Sequence, residues 1–147
     1  VINSKFGTGK PIYSVFVARV ATGEIYNEEL KNRYPNRDWI LSRIMWLSGL
    51  EPGRNSFGKY DTMERKIYIH GAPPEYPMGI PLSHGCIRIH PNMSRFFYFI
   101  IGYTPHTIAL ENFEGRDTLK FTPSRGSYIP LKPEHYIKVR TCKEKCE

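Results

Sequence analysis

Short bursts of β-branched and aromatic residues alternate along this chain with stretches rich in glycine, proline and charge. That pattern predicts short strands joined by turns. Ile12–Val20 is such a burst, set behind Pro11 and ahead of Thr22-Gly23, and predicts a strand. Asn27–Asn36 is polar and charged, and predicts a loop or a short helix that ends before Pro35. Trp39–Leu47 fits two patterns, because Ile40, Leu41, Ile44 and Met45 also recur at helical spacing. Pro52-Gly53 and Gly58 mark Glu51–Lys59 as a loop. Lys66–His70 predicts a short buried strand that ends in a histidine. Four prolines make Ala72–Pro81 a loop, suited to wall a cleft. Pro91 stands at a first-turn position and opens an apolar segment to Ile101, which predicts a helix packed on the sheet. Thr107–Leu110 predicts another short strand. After Asn112 the pattern weakens, with Tyr136–Val139 strand-like. The sum is a mainly β domain, a sandwich or partial barrel with one main helix.

Length and composition narrow this picture without changing it. A chain of 147 residues fits one domain with a core of its own. The longest apolar run, Phe96–Ile101, lies between Arg95 and Gly102 and is far too short for a membrane span. The chain starts at Val1, which predicts a mature, trimmed or partial product with its leader out of view. Twenty-one basic against fourteen acidic residues give a net charge of +7. From Arg116 onward there are eight basic and four acidic residues, so the excess is densest there. Such charge suits nucleic acid, anionic lipid or an anionic wall polymer, and equally an ordinary solvated surface. No nucleic-acid-binding motif accompanies it, and none of these partners is selected by charge.

The chemistry concentrates in Ser83-His84-Gly85-Cys86, with His70-Gly71 upstream. A lone cysteine is often a small core residue. Here it follows a glycine in a small-residue turn and has two histidines as candidate bases. A free thiol near pKa ~8.5 is barely ionised at neutral pH and needs a base to become a nucleophile. Cys86 is the candidate nucleophile; His70 and His84 compete as its base, and spacing does not rank them. Gly85 lets backbone approach a tetrahedral oxyanion, and the N–H groups of His84, Gly85 and Cys86 are the candidate donors. Arg88 lies two residues beyond Cys86, on the same face if the segment is extended. Its guanidinium suits a substrate carboxylate, or else a structural ion pair. Ser83 shapes the turn through local hydrogen bonds. His70, His84, Cys86 and His90 are four possible zinc ligands, but their spacing matches no paired-ligand pattern, so no metal and no cofactor is expected.

Ile67-Tyr68-Ile69-His70-Gly71, followed twelve positions on by Ser83-His84-Gly85-Cys86-Ile87-Arg88-Ile89, resembles the signature of the L,D-transpeptidase (YkuD-type) family. Flanking pieces agree: Ser14–Arg19 with Thr22-Gly23-Glu24 resembles an early strand and turn. Ile40–Pro52 with Asp61-Thr62-Met63 resembles the lead-in to the motif. Pro91–Gly102 resembles the helix and Thr107–Leu110 the closing strand. The resemblance covers Lys5–Asn112, and implies a catalytic domain over 1–112 with an unassigned tail over 113–147. The resemblance also implies further N-terminal strands, including a Thr-Pro-x-Gly turn, ahead of the point where this sequence begins; the tail is a candidate source of substitute edge strands.

What the resemblance implies is specific. Cys86 is the nucleophile, His70 the base, and the Gly71 carbonyl orients the imidazole; His84 takes a supporting role with Ser83, Gly85 and Arg88. Trp39–Leu47 becomes a strand. The partners are peptidoglycan stem peptides, neither nucleic acid nor a spanned membrane, and the place of action is the periplasm or cell envelope. Carbapenems are implied as acylating inhibitors. In that oxidising setting Cys142 and Cys146 are expected to pair in a disulfide if a local turn brings them together.

Overall fold

The computed structural model describes residues 1–77, 83–100, 106–113 and 116–123. Among these the protein is mainly β, built on one six-stranded mixed sheet with two short helices. The strands are β1 (Ile2–Phe6), β2 (Ser14–Val17), β3 (Val20–Ile25), β4 (Ile40–Leu47), β5 (Tyr68–Gly71) and β6 (Ile87–Ile89). They run in the order β3-β2-β4-β5-β6, with β1 beside the second half of β4. Helix α1 spans Glu28–Arg33 and α2 spans Pro91–Ile100. Strands β7 (His106–Phe113) and β8 (Arg116–Pro123) pair antiparallel as a separate two-stranded sheet.

Two sequence expectations shift. Ile12–Val20 is not one strand: the chain reverses at Ala18, a non-glycine residue at φ +53°, to form the β2–β3 hairpin. Thr22-Gly23 then lies inside β3, not in a turn after β2. Its register slips between Ser14↔Ile25 and Phe16↔Ala21, at a bulge where Gly23 takes φ +89°. Thr22 Oγ1 steadies that bulge by donating to the Val15 carbonyl at 3.3 Å and accepting the Glu24 N–H at 3.2 Å. Strand β1 was not predicted. Asn27–Asn36 does form a short helix, with the Asn27 side chain accepting the Leu30 N–H at 2.8 Å and the helix ending ahead of Pro35. The first part of the tail, β8, pairs with β7 and not with the large sheet. Cys142, Cys146 and the Tyr136–Val139 segment lie outside the described residues, as does part of the proline-rich loop.

Strand alternation sorts the side chains of the central sheet. Met45, Leu47, Ile69, Ile87 and Ile89 point to one face, where Tyr98 of α2 packs on them. Ile44, Trp46, Tyr68 and Cys86 point to the other, with Phe16 of β2. That second face carries Cys86, the candidate nucleophile.

Candidate active site

Strands β5 and β6 run parallel, pairing Ile69 with Ile87, His70 with Arg88 and Gly71 with Ile89. Parallel neighbours need a crossover of a dozen or so residues. The spacing between Gly71 and Ser83 meets that demand, so the gap within the motif has a topological reason. Cys86 sits one position ahead of β6 and therefore opposite Tyr68. Residues level with each other in a parallel pair share a face, so Tyr68, His70, Cys86 and Arg88 all project to the same side.

The Cys86 sulfur lies among backbone groups. Tyr68 N–H donates to Sγ at 3.4 Å, and the thiol donates to the Lys66 carbonyl at 3.5 Å. The β4–β5 connection places that carbonyl. It closes with Leu47 N–H on the Ile67 carbonyl at 3.0 Å, and the Asp61 carboxylate accepts the N–H groups of Phe57, Met63 and Glu64 inside it. Burial pushes the Cys86 thiol above its ordinary value; the Tyr68 N–H acts against this, Asp38 adds to it and Arg88 opposes it.

His70 is 1 % exposed, and its Nδ1 lies 2.8 Å from the Gly71 carbonyl. A carbonyl can only accept, so Nδ1 carries the hydrogen and Nε2 keeps the basic lone pair. Burial lowers the His70 pKa, while the Gly71 bond and Asp38 raise it and Arg88 lowers it. Both shifts favour the uncharged forms. Sequence reasoning expects a thiol ionised by its base; the burial of both groups acts against that charge separation.

The wall behind His70 is a bulge in β4. Leu41 pairs with Gly71 and Ile44 with His70, which leaves Ser42 and Arg43 as extra residues, Ser42 at φ +67°. A Cβ on Gly71 would lie 2.7 Å from the Leu41 carbonyl oxygen. Gly71→Ala is therefore expected to push β4 and β5 apart beside the imidazole. The expected cost is about 1–3 kcal/mol, read as a lowered urea midpoint, with a fall in activity larger than the loss of folded protein explains.

Ser83 Oγ donates to the Cys86 carbonyl at 2.5 Å and accepts the Gly85 N–H at 3.3 Å, so the serine ties the turn together. Gly85 is at φ +133°, and a Cβ there would meet Ile67 Cδ1 at 2.8 Å. The Gly85 N–H thus already has a partner in the resting turn. His84 is exposed and makes no hydrogen bond among the described residues. His90 is also exposed, and no group of three or more potential ligands is placed to hold a metal among the described residues.

Arg88, 16 % exposed, donates to Asp38 at 2.9 Å across fifty positions of sequence. Asp38 was missed by sequence reasoning, and nothing local marks it. The Tyr68 amide and the Lys66 carbonyl were missed for the same reason: backbone groups leave no signal in residue type.

The model of the YkuD family, the L,D-transpeptidase catalytic domain, matches residues 5–108, more than two thirds of the chain. The chain belongs to that family. No curated protein and no solved structure matches it. Members act on peptidoglycan of the cell wall, which places the function of this chain there at the level of the family. Among the described residues no helix is long and apolar enough to cross a membrane.

Proposed function

We propose that the chain is a peptidoglycan L,D-transpeptidase with Cys86 as nucleophile and His70 as base. The observation that supports this most is the parallel β5–β6 pair: it puts the buried, Nδ1-protonated imidazole and the thiol on one face of one rigid sheet. The donor is a stem tetrapeptide. His70 Nε2 takes the thiol proton as sulfur attacks the carbonyl of the third residue, so attack and proton transfer are coupled and no resting ion pair is needed. The tetrahedral oxyanion forms at the Ser83–Cys86 turn. Its donors are backbone N–H groups there; the Gly85 N–H must exchange its Ser83 partner to join them.

Collapse breaks the amide bond, and the protonated His70 gives its proton to the departing D-alanine amine. The remaining thioester is attacked by a side-chain amine of a second stem, which loses its proton to His70 and restores the thiol. Cross-link, exchange with a D-amino acid and hydrolysis share this acyl-enzyme and differ in the acceptor that reaches it. The carboxypeptidase outcome is thus the second product of one mechanism, and a wall-binding domain without catalysis is the outcome with no acyl-enzyme. The site of action is the cell envelope.

Incubation with disaccharide-tetrapeptide, followed by mass analysis, is expected to give the dimer with release of D-alanine. Tripeptide alone would assign the carboxypeptidase. Unchanged substrate, together with no single drug-sized carbapenem adduct on Cys86, would overturn the enzymatic reading.

A further inference from the structure

The face that carries Cys86 holds two guanidinium groups, and they are not in the same state. Arg88 is ion-paired with Asp38. Arg19, in the β2–β3 turn, meets no carboxylate among the described residues. Its guanidinium lies 4.4 Å from the centre of the Trp46 ring, and Nη1 donates to the Tyr68 hydroxyl at 2.8 Å. Trp46 in turn meets Tyr68 edge-on, with ring centres 6.1 Å apart.

Tyr68 links this cluster to the sulfur, because its backbone N–H is the group that donates to Sγ. Its side chain is buried and accepts from Arg19, so the phenolic hydrogen points elsewhere, and no acceptor for it exists among the described residues. A guanidinium has five N–H groups in a planar fork, of which one is engaged here. The cation–π contact with Trp46 and the bond to Tyr68 restrain the guanidinium before any ligand arrives, which lowers the entropy lost on binding. The result is a partly exposed cation joined by one hydrogen bond to the phenol of the residue whose backbone N–H meets the nucleophile, with no carboxylate of the described residues on it.

The structure assigns to Arg19 and Tyr68 a carboxylate-binding subsite beside Cys86, which holds a free carboxylate of the acylating peptide. The identity of that peptide rests on the transpeptidase reading; the subsite itself does not. Arg88 is the less suitable group, since a substrate carboxylate would have to displace Asp38 from it.

Two arms test this separately. In the first, Cys86 is alkylated by iodoacetamide reagents that carry a terminal carboxylate on spacers of graded length, each compared with its methyl ester. The wild-type protein is expected to favour the acid at one spacer length. Arg19→Gln should lower that acid-to-ester ratio about tenfold and Tyr68→Phe about threefold, with Arg19→Lys retaining part of it. Arg54→Gln, which removes an exposed arginine paired with Glu51, should leave the ratio as it is.

In the second arm, stem tetrapeptides are amidated at one carboxylate at a time. Arg19→Gln should raise KM for every form except the one amidated at the recognised carboxylate. A wild-type ratio near one at all spacer lengths, or acid and ester slowed equally in Arg19→Gln, would show a purely structural arginine and overturn the subsite. A protein that turns over no stem peptide yet shows the ratio change would keep the subsite and lose the transpeptidase reading.

Discussion

Cys86→Ala should abolish acyl transfer, by at least about a thousandfold, while the protein stays folded. The side chain packs at the rim of the Phe16, Ile44 and Tyr68 cluster and is partly exposed, so its removal leaves little cavity. The expected change in unfolding free energy is within about 1 kcal/mol. Cys86→Ser is the sharper variant. A hydroxyl there can donate to the Lys66 carbonyl and accept from the Tyr68 N–H, as the thiol does, so the fold gains no unpaired group. Activity should nevertheless be lost, because an alcohol is a far weaker acid than a thiol and this imidazole is backed by the Gly71 carbonyl, not by the carboxylate that supports the imidazolium when a Ser-His-Asp triad deprotonates serine. Product mass and urea midpoints measured side by side separate chemistry from folding. A serine enzyme as active as the wild type would sink the nucleophile assignment.

How far the site was legible depends on what kind of group each part is. Cys86, His70 and Gly71 stand out as residue types at a revealing spacing, and the parallel crossover gives that spacing its reason. The tautomer of His70 follows from a carbonyl that resemblance pointed to and that the 2.8 Å contact supplies. The β4 bulge at Ser42 was not legible. A serine at positive φ, flanked by Gly71 on one strand and by Gly7, whose Cβ would lie 2.8 Å from the Ser42 carbonyl oxygen, depends on three distant segments meeting. Burial was the other silent quantity. Lys66–His70 reads as a buried strand, yet how fully the imidazole is enclosed depends on β4 and on the loops around it. That enclosure, more than any neighbouring charge, lowers the His70 pKa and raises that of Cys86.

The strand pattern fared similarly. Trp39–Leu47 is ambiguous by periodicity and becomes β4 because it lies in the middle of a sheet, paired with β1, β2 and β5. Tertiary pairing overrides local spacing there. The hairpin at Ala18 was hidden since neither Ala18 nor Arg19 is a usual turn residue, whereas Thr22-Gly23, a common turn signal, serves a bulge.

Removal of His70 should have the second-largest effect. His70→Gln keeps a donor for the Gly71 carbonyl and much of the volume, and takes away the basic Nε2. Acyl transfer should fall by about a hundred- to a thousandfold, against less than about tenfold for His84→Ala, whose exposed ring holds no partner in the site. A larger loss in the His84 variant would reverse the two roles. The pH profile tests the neutral pair directly. With the thiol raised above its ordinary value, iodoacetamide alkylation of the free enzyme should keep climbing past pH 9.0; a plateau reached in mildly acid solution would reveal a thiolate–imidazolium pair instead. Stability gives an independent reading. Because the folded protein holds the imidazole neutral below its ordinary value of 6.5, the unfolded chain takes up that proton first as pH falls. The stability due to neutral His70 is therefore complete above 6.5 and is lost on acidification towards the folded value. Urea unfolding at pH 7 and pH 5 should show a larger loss in the wild type than in His70→Gln, and equal losses would mean that the imidazole is not held neutral by the fold.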